Sequence, residues 1–276
     1  MDAQAKLSRY HQHGHKSVNG WLLPGAIKML AALAKAQDEA NIKGSVAEIG
    51  VHHGKLLILL ALFTREDEKA VAIDLFTDQD RNFEQSGQGD LDKFQENIRR
   101  HAEHRHIVLH QGDSTELTSA ALIKLGEAAF RFFSVDGGHT PEITAHDLAT
   151  AEGALAPGGI IVLDDCFNEM WPGVSEGVHR YFSTAGRTII PFATGGNKTF
   201  FCRPEYAARY IEVLRVLPSR SATHSFLGCR ILCCDFTPLS FHERVGKNAV
   251  WRALKDFGAL KIARSAYHRA REAMGR

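Results

Sequence analysis

Short apolar runs alternate with amphipathic segments over most of the chain. Seven of these runs, most of them containing Val, Ile or Phe, have the length and composition of buried strands. They span Ser45–Gly50, Ala70–Asp74, His106–His110, Arg131–Asp136, Gly159–Leu163, Arg187–Phe192 and Lys198–Arg203. Helical patterns separate the first five runs, at Lys55–Phe63, Leu91–His101, Leu117–Leu125 and Pro141–Leu155. This alternation predicts a parallel sheet with helices on both faces.

The last two runs are connected differently. Only the Gly-rich turn Ala193–Asn197 separates Arg187–Phe192 from Lys198–Arg203, which is too short a connection for parallel strands. The two runs therefore predict a terminal antiparallel hairpin. The fold class that follows is α/β, with a doubly wound, mostly parallel sheet of seven strands. The run Phe226–Phe236 is a candidate for an extra edge strand.

Helical additions are expected on both sides of this sheet. Amphipathic patterns predict a covering helix within Leu22–Ala40, another near Pro204–Leu217 and a helical tail at Val245–Met274. The chain then divides into an N-terminal extension at 1–43, a core domain at 44–203 and a C-terminal extension at 204–276.

Composition narrows the class of protein. The 276 residues include 33 Lys or Arg and 32 Asp or Glu, and 44% are hydrophobic, which excludes a disordered chain. The formal net charge of +1 disfavours nucleic-acid binding through bulk charge. No apolar stretch has the length of a membrane-spanning helix, and no secretory signal is visible. Five cysteines without zinc spacing indicate reduced core residues, so we expect a cytoplasmic protein.

Charge is unevenly distributed along the chain. From Phe241 onward there are nine Lys or Arg against three Asp or Glu, a net +6 that leaves the rest of the chain at −5. Three interpretations of the tail stay open: a helix that joins subunits of a homo-oligomer, a contact for an anionic surface, or a solvated helix, which is the default.

The candidate chemistry lies where the predicted strands end. In an open parallel sheet, ligands bind beyond the carboxyl ends of the strands, near the point where strand order reverses. The first strand leads into the turn Glu48–Gly54, in which Gly50 and Gly54 allow a backbone to approach a ligand closely. This turn is one residue short of a P-loop, and His52 replaces the middle glycine of a dinucleotide fingerprint.

Polar residues follow the second and third strands. Asp74 ends the second strand, where a carboxylate commonly binds ribose hydroxyls; helix capping is the alternative. Asp113 and Ser114 follow the third strand, where they are placed either to contact an exocyclic amine or to cap the next helix.

Carboxylates follow the fourth and fifth strands as well. Asp136 ends one and the pair Asp164-Asp165 ends the other, so adjacent strands would bring all three to one rim. Clustered carboxylates repel each other unless a cation binds, and oxygen ligands favour Mg²⁺ over Zn²⁺. Helix capping or solvation is the alternative for the pair. His139 lies three residues past Asp136 and either takes a proton from a metal-bound hydroxyl or orients its loop.

With these residues at its strand ends, the chain resembles class I S-adenosylmethionine-dependent methyltransferases, over roughly Gly20–Arg203. The segment Val135–His139, followed by Leu163–Asp165, is similar to the metal-dependent, macrocin-type sugar O-methyltransferases and to catechol-type enzymes. The resemblance implies cofactor contacts from Glu48, Gly50 and Gly54 at the methionine end, Asp74 at the ribose, and Asp113 and Ser114 near the adenine. It implies Mg²⁺ on Asp136, Asp164 and Asp165, with His139 as the base. His52 departs from the glycine that many members have.

The predicted function is therefore methyl transfer from S-adenosyl-L-methionine to a hydroxyl of a sugar or another vicinal diol, with His139 and Asp136 as catalytic residues. A small molecule or a saccharide would be the acceptor, and a homo-oligomer is consistent with the tail. Two alternatives stay open. One is a nicotinamide-dependent oxidoreductase, although the chain lacks the GxGxxG fingerprint. The other is a non-catalytic cofactor-binding protein.

Overall fold

A computed structural model of the chain describes residues 3–82 and 84–237. The chain up to Phe236 forms one compact unit. The predicted helical tail at Val245–Met274 lies outside the described residues. None of the helices in the described part of the chain is both long and apolar enough to cross a membrane.

Nine strands form a single mixed sheet. In chain order they are β1 Ser45–Ile49, β2 Lys69–Asp74, β3 His106–Gln111, β4 Phe130–Val135, β5 Leu155–Asp164, β6 Ile190–Gly195, β7 Lys198–Cys202, β8 Arg220–Phe226 and β9 Cys229–Asp235. Their spatial order is β3-β2-β1-β4-β5-β7-β6-β9-β8. The first five strands are parallel, whereas β7 runs antiparallel to both β5 and β6. This confirms the doubly wound α/β fold and the terminal antiparallel hairpin.

The sheet has nine strands rather than the predicted seven. A hairpin of β8 and β9 extends it, with β9 pairing in parallel with β6. Strand β9 lies within the run that suggested an extra edge strand. Strand β8 was missed because its interior positions, from Ser221 to Ser225, are polar or small and exposed to solvent. An edge strand that buries neither face leaves no apolar alternation for a sequence pattern to detect.

Within residues 3–82 and 84–237, eight α-helices pack around the sheet. They are α1 Ala3–Gln12, α2 Pro24–Glu39, α3 Lys55–Phe63, α4 Leu91–His101, α5 Ser119–Gly126, α6 Pro141–Ala154, α7 Pro172–Ser183 and α8 Pro204–Arg215. Most predicted helices agree with these bounds to within a few residues. Helices α1 and α7 were not predicted, and the sequence of α1 is largely polar. Buried Tyr10 fastens it to the core by donating a hydrogen bond to the carbonyl of Lys55, at 2.7 Å.

Two hydrophobic clusters lie on opposite faces of the sheet. Neighbours in β4 point to opposite sides, Phe132 into the cluster beneath α2, α3 and α8 and Phe133 into the cluster beneath α5, α6 and α7. Helix α3 is apolar almost all round, and eight of its nine residues are buried. Since both faces are covered, polar groups that must reach a ligand are left to the sheet's ends.

Strand order reverses at β1. Strand β1 pairs with β2 on one side and with β4 on the other. Strands β2 and β3 therefore lie on one side of β1, and β4 and β5 lie on the other. A crevice opens at such a point beyond the carboxyl ends of the strands.

Candidate active site

A cleft of about 630 Å³ lies at the carboxyl ends of β1, β2, β4 and β5. Nine of the ten residues predicted for the site line it: Glu48, Gly50, Asp74, Asp113, Ser114, Asp136, His139, Asp164 and Asp165. Gly54 is the exception. It lies beneath the Phe94 ring, which a Cβ would approach to 3.0 Å, so its small size serves packing rather than the cleft.

The first loop contains three residues with a left-handed backbone, Gly50, His52 and Gly54. Gly50 has a φ of 82°, and a Cβ there would come within 1.7 Å of the Asp136 carbonyl oxygen, so the ends of β1 and β4 meet only around a glycine. His52 has a φ of 53°, which is uncommon for a residue with a side chain. Its ring stacks on His53, with centroids 3.8 Å apart. This stacking contact orients the His52 ring, which occupies the position where the resemblance implies a glycine.

Asp74 ties the first two loops together. Its Oδ2 accepts a hydrogen bond from the backbone N–H of His52 at 2.7 Å, and its Oδ1 accepts one from Phe76 at 2.6 Å. Burial raises the pKa of Asp74, and the backbone donors oppose that shift. A carboxylate oxygen accepts more than one hydrogen bond. Asp74 therefore organises the loops and still has lone pairs for a ligand in the cleft.

The two residues after β3 are held by protein groups. Asp113 caps the short 3₁₀ turn Ser114–Glu116 by accepting from the backbone N–H of Thr115 at 2.9 Å, and it also pairs with Arg81 at 3.1 Å. The hydroxyl of Ser114 donates to buried Asp147 at 3.1 Å. The capping alternative thus applies to Asp113, which also lines the cleft.

The acidic rim contains a cation that the sequence analysis did not anticipate. The Nζ atom of Lys198 lies 2.5 Å from Asp164 Oδ2 and 3.0 Å from Asp136 Oδ2. Burial by itself lowers the pKa of Lys198, but the two carboxylates outweigh burial and raise it above its ordinary value. Two of the three carboxylates predicted to share a metal ion are therefore paired with an ammonium group.

Asp164 and Asp165 face different partners. Asp164 Oδ1 accepts from the backbone N–H of Asp165 at 3.0 Å and from the Asn197 amide at 2.9 Å. The Asp165 carboxylate accepts from the amides of Asn197 and Asn168, at 2.8 and 2.5 Å, and lies 3.4 Å from His139 Nε2. Burial alone would raise the pKa of Asp165, but these hydrogen bonds lower it to about 2.

His139 lies between two carboxylates. Its Nε2 faces Asp165, and its Nδ1 lies 3.3 Å from Glu84 Oε2, which also accepts from the backbone N–H of His139 at 2.6 Å. The ring stacks on Trp171 with centroids 4.0 Å apart. Burial lowers the pKa of His139, whereas Asp165 and Glu84 raise it, and the net shift is upward. The imidazole is thus fixed in orientation at the wall of the cleft.

Glu48 adds a buried carboxylate at the floor of the cleft. Its Oε2 atom finds no hydrogen-bond donor among the described residues. Burial, followed by the charge of Asp136, raises the pKa of Glu48 well above its ordinary value. A buried polar atom without a partner is costly unless a ligand supplies one, so Glu48 Oε2 faces the cleft as an open acceptor.

Comparison with known proteins assigns the family. Residues 47–166, which run from β1 to just past β5, match the family model of the methyltransferase domain. The matched segment identifies a methyltransferase domain in this chain, and the class I, S-adenosylmethionine-dependent family fits its fold. The prediction of this family and of an enzyme is confirmed.

Solved structures with a similar fold are also methyltransferases. The O-methyltransferase NovP is 14% identical with a TM-score of 0.53, over 73% of this chain and 99% of NovP. The calicheamicin methyltransferase CalS11 is 18% identical with a TM-score of 0.48, over 64% of this chain and 78% of that one. The match to NovP shows a shared fold, and at this identity it shows nothing about the acceptor. No curated protein matches the chain by sequence.

Two residues of the site were not predicted from the sequence: Glu84, which lines the cleft, and Lys198, which is buried behind its acidic rim. Lys198 opens β7 and is the register partner of Asp164, so a signal existed in the predicted hairpin, but only the strand pairing identifies it. Glu84 lies in the loop between β2 and α4, where no periodic pattern fixes the position of a side chain.

The methyltransferase also offers a small donor set for a cation. Asp136, His139 and Asp165 each present one ligand atom, and all three atoms lie within 4.8 Å of one another. Mg²⁺ commonly binds one or two protein carboxylates and completes its shell with water and substrate oxygens. Asp136 and Asp165 fit that pattern. Asp164, the third predicted ligand, is instead engaged by Lys198, Asn197 and a backbone N–H.

Proposed function

We propose that this methyltransferase acts on oxygen, transferring a methyl group to a hydroxyl of a sugar or another vicinal diol. One observation carries the proposal. The loop and carboxylates suited to the cofactor and the His139–Asp165 pair line the same cleft. A methyl donor bound on one side would therefore meet a hydroxyl held beside an imidazole on the other. The sugar part rests on the resemblance of Val135–His139 to macrocin-type enzymes.

The cofactor side uses the ends of β1, β2 and β3. Glu48 Oε2 is an open acceptor for an ammonium group, and Asp74 has lone pairs for ribose hydroxyls. Asp113, fixed by Thr115 and Arg81, lies where an exocyclic amine would be recognised. S-adenosylmethionine supplies a methyl group activated by a sulfonium centre.

The acceptor side uses His139 as the base. His139 Nε2 would accept the proton of the acceptor hydroxyl as its oxygen takes the methyl group, and the cofactor would leave as S-adenosylhomocysteine. Glu84 holds Nδ1 and Asp165 lies beside Nε2, so the ring meets the acceptor in a fixed orientation and its positive charge is stabilised. Trp171, stacked on the ring, limits rotation of the imidazole.

Metal dependence is the finer part of the proposal. Asp136 and Asp165 would hold a Mg²⁺ ion, which would lower the pKa of a bound hydroxyl. A cytoplasmic location, a homo-oligomer and the absence of a nucleic-acid partner stay predictions from the sequence.

Calorimetry tests the cofactor. We expect wild-type protein to bind S-adenosylmethionine and S-adenosylhomocysteine but not NAD. Asp74→Asn should weaken binding of S-adenosylmethionine about tenfold, near 1.4 kcal/mol, because the carboxylate contact to the ribose is lost. Asp78→Asn, at an exposed position in the following loop, is the matched control and should bind as the wild type does. Binding of NAD in place of S-adenosylmethionine would favour the oxidoreductase instead.

Transfer assays test the acceptor. Labelled S-adenosylmethionine would be supplied with nucleotide sugars, catechol and matched deoxy analogues, each with Mg²⁺ or with EDTA. We expect product from acceptors with two vicinal hydroxyls and a decrease in rate with EDTA. Equal rates with the deoxy analogues would contradict the vicinal-diol proposal, and unchanged rates in EDTA would contradict the metal.

A further inference from the structure

A lysine ammonium group is enclosed within the acidic rim. Lys198 is 1% exposed to solvent, and both of its contacts are carboxylate oxygens, from Asp136 and Asp164. Removing an ammonium group from water is costly and is tolerated when oppositely charged groups surround it. The Lys198 ammonium group is therefore shielded from solvent and held by its two carboxylate partners.

Strand pairing fixes the position of this lysine. In the antiparallel pair of β5 and β7, Lys198 is directly opposite Asp164, and Leu163 is opposite Thr199. Cross-strand partners have side chains on the same face of a sheet. The ammonium group thus reaches Asp164 through the register of two central strands rather than through a chance side-chain conformation.

The other side of Asp164 is also occupied. Its Oδ1 accepts from the Asn197 amide and from the backbone N–H of Asp165, while its Oδ2 is bound to Lys198. The Asp164 side chain is 7% exposed, against 23% for that of Asp136. Asp164 thus faces protein donors, whereas Asp136 has its second oxygen on the cleft side.

A divalent ion and an ammonium group exclude each other at this place. An ion bridging Asp136 and Asp164 would lie beside Lys198 Nζ in a site of low polarity, where like charges repel strongly. The three-carboxylate site predicted from the sequence therefore needs the space that the ammonium group fills.

We propose that Lys198 is the resident cation of the rim and withdraws Asp164 from metal binding. A divalent ion is then limited to Asp136 and Asp165, with His139 beside them, and it binds weakly. The inference refines the metal part of the proposed function and rests on the rim described there. It does not depend on which acceptor is methylated.

Titration of the full-length protein with Mn²⁺, without cofactor or acceptor, tests this inference. Mn²⁺ is chosen as a hard divalent ion with the same preference for oxygen ligands as Mg²⁺. We expect Lys198→Met to bind Mn²⁺ at least tenfold more tightly than the wild type, because Asp164 and both oxygens of Asp136 become available. Lys198→Arg keeps the charge and should match the wild type. Equal Mn²⁺ affinity in Lys198→Met and the wild type would overturn the inference.

A second variant decides the question even if Lys198→Met does not fold. Asp164→Asn in the otherwise unchanged chain should alter Mn²⁺ affinity less than twofold, since Asp164 is not a ligand there. A tenfold loss in this variant would show that Asp164 binds the ion and would overturn the inference. In the Lys198→Met background, by contrast, Asp164→Asn should abolish the gain in affinity.

The two proposals fail separately. Absence of S-adenosylmethionine binding would remove the proposed function, yet the Mn²⁺ pattern of the variants would still be measured on the same protein. Conversely, normal methyl transfer with equal Mn²⁺ affinity in the wild type and Lys198→Met would remove the Lys198 inference alone.

Discussion

The two ends of the sheet each bury a cation, and they differ in how its charge is matched. At the amino end of β4, Arg131 is 0% exposed and donates to Glu68 Oε2 at 3.2 Å, to Gln37 Oε1 at 3.1 Å and to the Phe63 carbonyl at 2.6 Å. At the carboxyl end, Lys198 is equally buried between two carboxylates. Both ends are built from the same strands, and the carboxyl end opens into the cleft described above.

At the amino end the groups that surround Arg131 are hydrogen-bonded to protein partners. Glu68 accepts from the backbone N–H groups of Gly44 and Arg65 as well as from Arg131, and Gln37 donates to the Arg131 carbonyl. The carboxyl end has more carboxylates than cations, and Glu48 Oε2 has no donor among the described residues. Paired charges stabilise the fold, whereas a buried carboxylate without a partner indicates where a ligand can supply one.

Breaking the matched end should have the largest effect. We expect Arg131→Met to lower the free energy of unfolding by about 3–5 kcal/mol, because buried Glu68 loses its fully buried cation and keeps only the partly exposed Arg65. Urea denaturation would measure this change. The folded fraction should bind S-adenosylmethionine as the wild type does, since the cleft lies at the other end of the sheet.

An exposed arginine provides the control for this variant. Arg180 pairs with Glu142 and Glu176 on the surface, so Arg180→Met should leave the urea midpoint almost unchanged. A similar midpoint for Arg131→Met and Arg180→Met would contradict the proposed difference between the two ends.

At the unmatched end, the expected loss is in catalysis rather than in stability. His139→Ala should lower kcat about a hundredfold, within the usual range for a general base, while changing KM little and unfolding by less than about 1 kcal/mol. Since the pKa of His139 is raised and the base acts when neutral, the wild-type rate should rise with pH through a value above 6.5. Steady-state kinetics across pH would check both statements.

His224→Ala, in the exposed strand β8, is the matched histidine control and should keep wild-type kinetics. A kcat near that of the wild type in His139→Ala would exclude the imidazole as the base.

The smallest expected effect is a loss of stability at acidic pH that arises at the carboxyl end of the sheet. The pKa of Asp165 is lowered from 3.8 to about 2, so its ionised form contributes stability above about pH 4 that is lost as pH falls through 2. This contribution is about 2 kcal/mol. Urea unfolding between pH 6 and pH 2 should therefore show a weaker dependence on pH for Asp165→Asn than for the wild type. Parallel curves for the two proteins would contradict the assigned hydrogen bonds.

The sequence predicts the parallel half of the fold well. Strands β1, β2, β4 and β5 are short apolar runs separated by helical patterns, because a strand buried on both faces must be apolar throughout. Strand β3 was also predicted as a buried strand, but it lies at the edge of the sheet and none of its residues is buried. Strand β8 and helix α1 were missed for the opposite reason. Their polar residues face solvent, and their positions depend on the partner against which each packs rather than on a local pattern.

The candidate site was likewise predicted in part from the sequence. The ends of the predicted strands place Glu48, Gly50, Asp74, Asp136 and Asp165 in one cleft, since parallel strands finish at one edge of a sheet. Three details needed tertiary structure. Gly54 is taken up by packing against Phe94, Asp164 is engaged by Lys198, and Glu84 reaches His139 from a separate loop.

By itself, the sequence determined the family, the α/β fold and the edge of the sheet at which the chemistry lies. The fold and the edge follow from periodicity and from turn residues, which act over a few neighbouring positions, whereas the family came from the resemblance of the motifs. Tertiary structure alone decided which carboxylates face a cation from the chain and which face the cleft. That choice depends on the register between β5 and β7, where a shift of one residue would turn Lys198 to the opposite face of the sheet.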